Sequence, residues 1–267
     1  MSPLSGRYPP PVSDPVVLVT DFGGEDTYAG ALIGACWRVD PGLRVATATH
    51  GVPPGDVLAG AHHLKAAALA FPRRSVFCAV VDPGVGSDRR ALAVDTGTVR
   101  CVAPDNGLLS YLWTEADAAL RRCAVIAVPT AASPTFHGRD IFAPAAARLA
   151  AGADLDDIGE PGAPPMLLDV AFARRDDAAL LGRVAAVDHF GNAITTVRLA
   201  DLGGARLTGA RWDGGGTDSV VRTYAEIGDG LAVLVGSAGH VEVAARGRPG
   251  RCLGGPEAGA AVRVLLA

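Results

Sequence analysis

Three polar segments interrupt an otherwise apolar chain, and each carries side chains able to do chemistry. They are Thr20-Asp21-Phe22-Gly23-Gly24, Val81-Asp82-Pro83-Gly84-Val85-Gly86-Ser87-Asp88-Arg89-Arg90 and Thr135-Phe136-His137-Gly138-Arg139-Asp140. The first two follow the strand-like runs Val16–Val19 and Val76–Val80 directly. Loops at the carboxyl ends of strands are where open α/β sheets bind ligands. A carboxylate at Asp21 suits the two hydroxyls of a ribose, although a turn or a helix cap uses the same residue type. Asp82 and Arg89, seven residues apart across a glycine-bearing turn, can pair over the loop. Arg90 reads as a solvated neighbour. Together with His137, the Asp82–Arg89 pair reads as a catalytic constellation and not as surface decoration. Gly138 leaves space beside the histidine, and Asp140 is placed to cap the helix that follows.

Other polar groups are less pointed. Pro104-Asp105-Asn106-Gly107 reads as a turn before a helix and as a wall of the same cleft. Val187-Asp188-His189-Phe190-Gly191-Asn192 is either a plain hairpin turn or a polar clamp, since Asp binds ammonium and Asn reads a base edge. His62-His63 falls on a predicted helix and reads as its polar edge, while His50, after the second strand, stays ambiguous.

The elements that must hold these residues fall into two kinds. Strands are predicted at Val16–Thr20, Arg44–Thr49, Val76–Val81 and Arg122–Val128, with a hairpin of Ala91–Asp95 and Arg100–Ala103. Helices are predicted at Tyr28–Val39, from Asp56 as N-cap to Ala70, from about Gly107, and over Ile141–Ala151. Such alternation gives an α/β fold with a mostly parallel sheet flanked by helices. Past a Pro/Gly-rich stretch the pattern becomes all strands: Leu181–Asp188, Asn192–Val197, Gly230–Val235, His240–Ala245 and Ala261–Leu266. Gly236-Ser237-Ala238-Gly239 reads as a hairpin turn and Gly214-Gly215-Gly216 as an exposed loop. We therefore expect a flexible arm over 1–14, an α/β domain over 15–160, a linker over 161–178 and an all-β domain over 179–267.

The bulk numbers agree with an enzyme-sized globular chain. At 267 residues and 49% hydrophobic, with 34 glycines and 5% aromatics, the core must be built mainly from Ala, Val and Leu. A net charge of −4 argues against a nucleic-acid partner. Five cysteines without a C-x-x-C pair read as buried free thiols, not a zinc site. With five prolines and no apolar h-region, the first fifteen residues are not expected to be a secretory signal. No apolar run approaches the ~18 residues of a membrane span, so we expect a soluble, cytoplasmic protein.

Taken together, the motifs resemble the S-adenosylmethionine hydrolases, or hydroxide adenosyltransferases, relatives of the bacterial fluorinase and chlorinase. The resemblance runs from about Val16 to Leu265. It is carried by Thr20-Asp21-Phe22-Gly23, by Val81–Gly86 with Arg89-Arg90, by Ala103–Leu109, by Thr135–Asp140 and by Asp188–Asn192. It implies a β-barrel-like C-terminal domain and a homotrimer, with the nucleoside site between the N-terminal domain of one chain and the C-terminal domain of the next. It also implies Asp82, Arg89 and His137 as the set that positions water, Asp21 on the ribose, Asp188 on the methionine ammonium and Asn192 on adenine. Asn106, Phe136, Gly138 and Ser237 are counted among the substrate-binding residues. Where the family often has Asn-Ser, this chain has Gly236-Ser237. The implied reaction converts S-adenosylmethionine to adenosine and methionine, without cofactor or metal.

Alternatives stay open at this point. The scaffold also serves halide transfer, which the Asp82 carboxylate opposes by repelling an anion, and a non-catalytic sensor would keep the same pocket. Asp21, Asp82, His50 and His137 could form a metal-dependent hydrolase. No G-x-G-x-x-G follows the first strand, against a generic methyltransferase. The letters Asp-Phe-Gly lack the rest of a kinase. The acceptor of the water proton is His137 or Asp82.

Overall fold

The computed structural model describes residues 13–267, so the expected arm lies outside the described residues up to position 12. The chain forms two compact units, one of residues 13–52, Phe71–Asp105 and Ala116–Pro164, the other of Pro53–Ala70, Asn106–Glu115 and Pro165–Ala267.

The first unit is built on a seven-stranded sheet. Its strands are β1 (Val16–Thr20), β2 (Val45–Thr49), β3 (Val76–Val80), β4 (Ala91–Asp95), β5 (Arg100–Pro104), β6 (Arg122–Ile126) and β7 (Glu160–Pro161), in the order β2-β1-β3-β5-β4-β6-β7. The β2-β1-β3-β5 half is parallel. The β4–β5 hairpin then turns the sheet antiparallel through β6 and β7. All five residues of β1 and of β3 are buried, as strands with both faces covered must be, which is why they read as unbroken apolar runs. Helices Tyr28–Val39 and Ala143–Ala150 cover one face. Ala145, Ala146 and Ala147 keep that contact shallow, against Leu32, Ala35 and Cys36. Cys36, Cys78 and Cys101 are buried free thiols, pushed up by burial, whereas Cys252 is exposed.

The helical run predicted over Ile141–Ala151 begins earlier, at Gly138, and a short helix over Leu155–Ile158 follows it. A π-turn over Gly138–Phe142 opens that run, with His137 at the cap position and in helical conformation. Asp140 does not cap it: its Oδ2 accepts from Ser133 N at 2.8 Å and it pairs with Arg139. The carboxylate thus ties the preceding loop down instead of closing the helix end.

The second unit is all antiparallel in its sheet. It comprises β8 (Arg174–Asp176), β9 (Ala179–Val187), β10 (Ala193–Arg198), β11 (Leu207–Trp212), β12 (Gly215–Thr217), β13 (Leu231–Val235), β14 (His240–Ala245) and β15 (Ala261–Leu266). The order is β12-β11-β15-β9-β10-β14-β13, with β8 on β9. The two ends meet: Thr217 Oγ1 donates to Leu231 O at 2.6 Å and Val233 N to Ser219 O at 2.8 Å. That contact rolls the sheet into a barrel around Leu180, Val184, Val197, Val241, Val243, Val262 and Val264. The Gly214–Gly216 stretch is not a loop. It forms a hairpin, with Gly214 at φ +77° in the turn and Gly215–Thr217 paired to β11. Helices Val57–Ala70 and Ser110–Glu115 pack with this unit.

Candidate active site

In the first unit, Thr20 pairs with Val80, so the loops beginning at Asp21 and Val81 leave adjacent parallel strands at the same edge. The loop after β3 folds back on itself through Val85 N to Asp82 O, 3.2 Å, and Ser87 N to Gly84 O, 3.1 Å. Gly86 adopts φ +81°, and a Cβ there would sit 2.5 Å from the Pro134 carbonyl oxygen. Only glycine supplies both the left-handed turn and that approach. The approach sets the loop against the segment that ends in His137.

The three residues singled out in the sequence are joined there. Arg89 Nε donates to Asp82 Oδ1 at 2.9 Å and Oδ2 at 3.1 Å, and its Nη2 closes a short second bond to Oδ2. Both side chains are nearly buried, at 9% and 5% exposure, which makes the pairing stiff. Arg89 also stacks on Phe142, 5.2 Å from the ring centroid. Its Nη2 reaches His137 Nδ1 at 2.8 Å. A guanidinium can only donate, so Nδ1 is the acceptor and the neutral ring carries its proton on Nε2. Burial and the Arg89 charge hold His137 below its ordinary pKa, partly offset by Asp82 and Asp140. The cluster is therefore a carboxylate, a cation and a neutral imidazole in one hydrogen-bonded chain.

Phe136 stacks edge-on with Phe22 and Tyr28, at 5.9 and 5.3 Å between centroids, and Arg139 lies over its other side. Gly138 is closed in by this group: a side chain there would meet Phe22, Leu32 and Phe136 at 3.2 to 3.4 Å. Its smallness serves this packing. His50 holds the first loop, with Nδ1 on Thr20 Oγ1 at 2.7 Å, Nε2 on Thr47 Oγ1 at 3.1 Å and its carbonyl accepting from Gly23 N. Both ring nitrogens are thus engaged by threonines. Among the described residues no group of three or more His, Cys, Asp and Glu is arranged to hold a metal. Arg90 is more than a solvated neighbour. It pairs with buried Asp105 at 2.7 Å and donates to the Ala163 and Pro164 carbonyls, closing the end of β5 onto the chain that leaves this unit.

The second unit holds a separate set. Asn106 begins an Asx turn, its Oδ1 accepting from Leu108 N at 3.2 Å. A cavity of about 600 Å³ brings Asp188, Asn192 and Ser237 together. Asp188 organises its own turn: Oδ1 accepts from Phe190 N and Asn192 N, and Oδ2 from Asn192 Nδ2 at 2.9 Å. These bonds are those of the hairpin-turn reading. The cavity is also lined by Tyr224, Glu242 and His62, none of which the sequence pattern singled out for a site. His62 is 3% exposed, because helix Val57–Ala70 packs on the barrel, ring against His240 at 5.0 Å, and has no polar edge there. The one signal in the sequence was a glutamate inside the apolar strand His240–Ala245.

Family models decide what these sets belong to. The chain matches the SAM hydroxide adenosyltransferase N-terminal domain over residues 16–159 and the C-terminal domain of the same family over residues 182–262. The chain belongs to the SAM hydroxide adenosyltransferase family. The Asp82–Arg89–His137 cluster falls within the family's N-terminal domain, and Asp188, Asn192 and Ser237 within its C-terminal domain. A Thermus thermophilus protein named (R)-S-adenosyl-L-methionine hydrolase is 38% identical, over 94% of this chain and 99% of its own length. One of the same name from Salinispora tropica is 42% identical, over 87% and 90%. Proteins named fluorinases match at 25 to 27% identity. The fold of a conserved Thermotoga maritima protein superposes with a TM-score of 0.83 at 30% identity, covering 94% of this chain and 99% of that one.

Proposed function

We propose that this hydroxide adenosyltransferase hydrolyses S-adenosylmethionine to adenosine and methionine, by attack of water on ribose C5′. The observation that carries the reading is the unbroken hydrogen-bonded chain Asp82–Arg89–His137 at the sheet's carboxyl edge. In the reaction the water oxygen bonds to C5′ as the C5′–S bond breaks. The bonding pair returns to sulfur, giving a neutral thioether, and one water proton is lost. No acid is needed for such a leaving group. The task is to hold a partly deprotonated water in line with C5′, and positioning of this kind supplies several kcal/mol of barrier reduction.

The geometry supports a role for each residue of the cluster. Arg89 favours hydroxide through its charge. His137, neutral and with Nδ1 occupied by Arg89, offers Nε2–H to orient the water. Asp82 Oδ1 carries a single bond to Arg89, against two at Oδ2, and is the group left to accept the proton. An anionic nucleophile such as chloride would meet the Asp82 carboxylate, which disfavours halide transfer.

Asp21 on the ribose, Asn106, Phe136 and Gly138 around the substrate, and Asp188, Asn192 and Ser237 on its methionine and adenine parts complete the proposed site. Site completion by the C-terminal domain of a neighbouring copy in a cytoplasmic homotrimer belongs to the same proposal. The names of the relatives support the (R) sulfonium epimer as substrate, and no cofactor or metal is required. Among the described residues no helix is long and apolar enough to cross a membrane. Incubation of the purified chain with each sulfonium epimer, in excess chelator, tests this directly. Adenosine should appear from the (R) epimer at an undiminished rate. Binding without turnover would instead favour a sensor.

A further inference from the structure

The cavity of the barrel unit holds a second carboxylate that the reaction as described does not use. Glu242 lies on β14, opposite Ile194 of β10, and is 6% exposed. Its Oε2 accepts from Tyr224 Oη at 2.6 Å, while Oε1 receives no hydrogen bond among the described residues. Room for this orientation comes from Gly236, where a Cβ would fall 1.7 Å from Glu242 Oε1. The space a side chain at 236 would fill is therefore the space the carboxylate occupies. Asp188 lines the same cavity. Burial and the Asp188 charge push the Glu242 carboxyl above the usual range, and the Tyr224 bond opposes them. Arg246, also on the cavity wall, donates to the Ala225 carbonyl at 3.3 Å and forms no ion pair with either carboxylate among the described residues.

Two carboxylates on one cavity wall need more positive charge than a zwitterionic amino acid brings. A buried anion without a counter-charge is costly, and a cationic ligand relieves that cost where a neutral one does not. We propose that Glu242, anchored by Tyr224 and admitted by Gly236, is a further substrate-binding residue that makes this cavity select a sulfonium amino acid over the corresponding thioether. The inference rests on the hydrolysis reading for its biological sense. Substrate and product differ by this one charge, since bond cleavage turns the sulfonium into a thioether. Glu242 then holds the substrate and loses its attraction for methionine once C5′–S is broken, which favours product release.

The test is a set of calorimetric titrations of the full chain with S-methylmethionine, methionine and adenosine. None of these requires turnover. The wild type should bind S-methylmethionine at least about tenfold more tightly than methionine, a difference of about 1.4 kcal/mol. Glu242→Gln should narrow that ratio to within about twofold and leave adenosine affinity unmoved. Gly236→Ala keeps the glutamate but displaces its carboxylate, and should narrow the ratio too, so the inference stays testable if Glu242→Gln folds poorly. In turnover, Glu242→Gln should raise KM for S-adenosylmethionine without lowering kcat, the signature of lost ground-state binding. A wild-type ratio near one, a ratio unchanged in both variants, or an equal loss for adenosine would overturn the inference. Failure of the hydrolysis reading would show separately, as absence of adenosine release from a wild type with the expected ratio.

Discussion

Arg89 Nη2 stands 2.8 Å from His137 Nδ1 while the same guanidinium is clamped by Asp82. One arginine therefore fixes both the tautomer of the imidazole and the position of the carboxylate. Arg89→Ala should cost at least about 10²-fold in kcat, in line with loss of a preorganised charge. It should also destabilise the fold by about 3–5 kcal/mol, because Asp82 is left buried without its partner. Arg89→Lys should recover stability better than rate, since an ammonium cannot serve both neighbours in one plane. Steady-state kinetics and urea unfolding of the two variants check this.

His137→Ala separates orientation from proton acceptance. If Asp82 takes the proton, His137→Ala should lower kcat by about 10²-fold and Asp82→Asn should lower it further. KM should change little in either variant. A larger loss in His137→Ala than in Asp82→Asn would reverse the assignment.

Gly86→Ala tests how the histidine is brought to the loop. The left-handed backbone and the 2.5 Å approach to the Pro134 carbonyl leave a methyl group no room. The expected cost is about 1–3 kcal/mol of stability, accompanied by a fall in kcat as the two segments separate. Equal stability in wild type and variant, by urea unfolding, would contradict the geometry.

The barrel unit should lose stability in mild acid. Burial holds His62 at about 3 and His240 at about 4, below their ordinary value of 6.5. His240 is locked neutral, accepting from Lys65 at Nε2 and donating from Nδ1 to Thr195 O at 2.7 Å. The unfolded chain therefore takes up protons first. Stability is fully present above about pH 6.5 and declines as the pH falls toward 4. The slope is about 1.4 kcal/mol per pH unit for each histidine. Urea unfolding at pH 7 and pH 5 should show the loss, and His62→Gln should remove about half of the slope.

Much of this was legible in the sequence. Helix Tyr28–Val39 and strands Val16–Thr20, His240–Ala245 and Ala261–Leu266 have the bounds that apolar runs and their punctuation indicate. The Asp82, Arg89 and His137 types and spacing pointed to one constellation because glycine-bearing loops after strands advertise it. What escaped depends on contacts distant in sequence. Glu242 gains its meaning from Gly236 and Tyr224, and His62 from the ring of His240. Arg90 looked solvated because its partners, Asp105 and the carbonyls of Ala163 and Pro164, lie 15 to 74 residues away. The Gly214–Gly216 hairpin was hidden because glycine propensity favours a loop, and pairing with β11 overrides it.

The central claim is that water, held by Asp82, Arg89 and His137, attacks C5′. The measurement that tests it most directly is turnover of (R)-S-adenosylmethionine in chloride-free ¹⁸O water, with both products analysed by mass spectrometry. Adenosine should carry the label at its 5′ oxygen and methionine should carry none. Unlabelled adenosine, label in methionine, or no adenosine at all would contradict the claim.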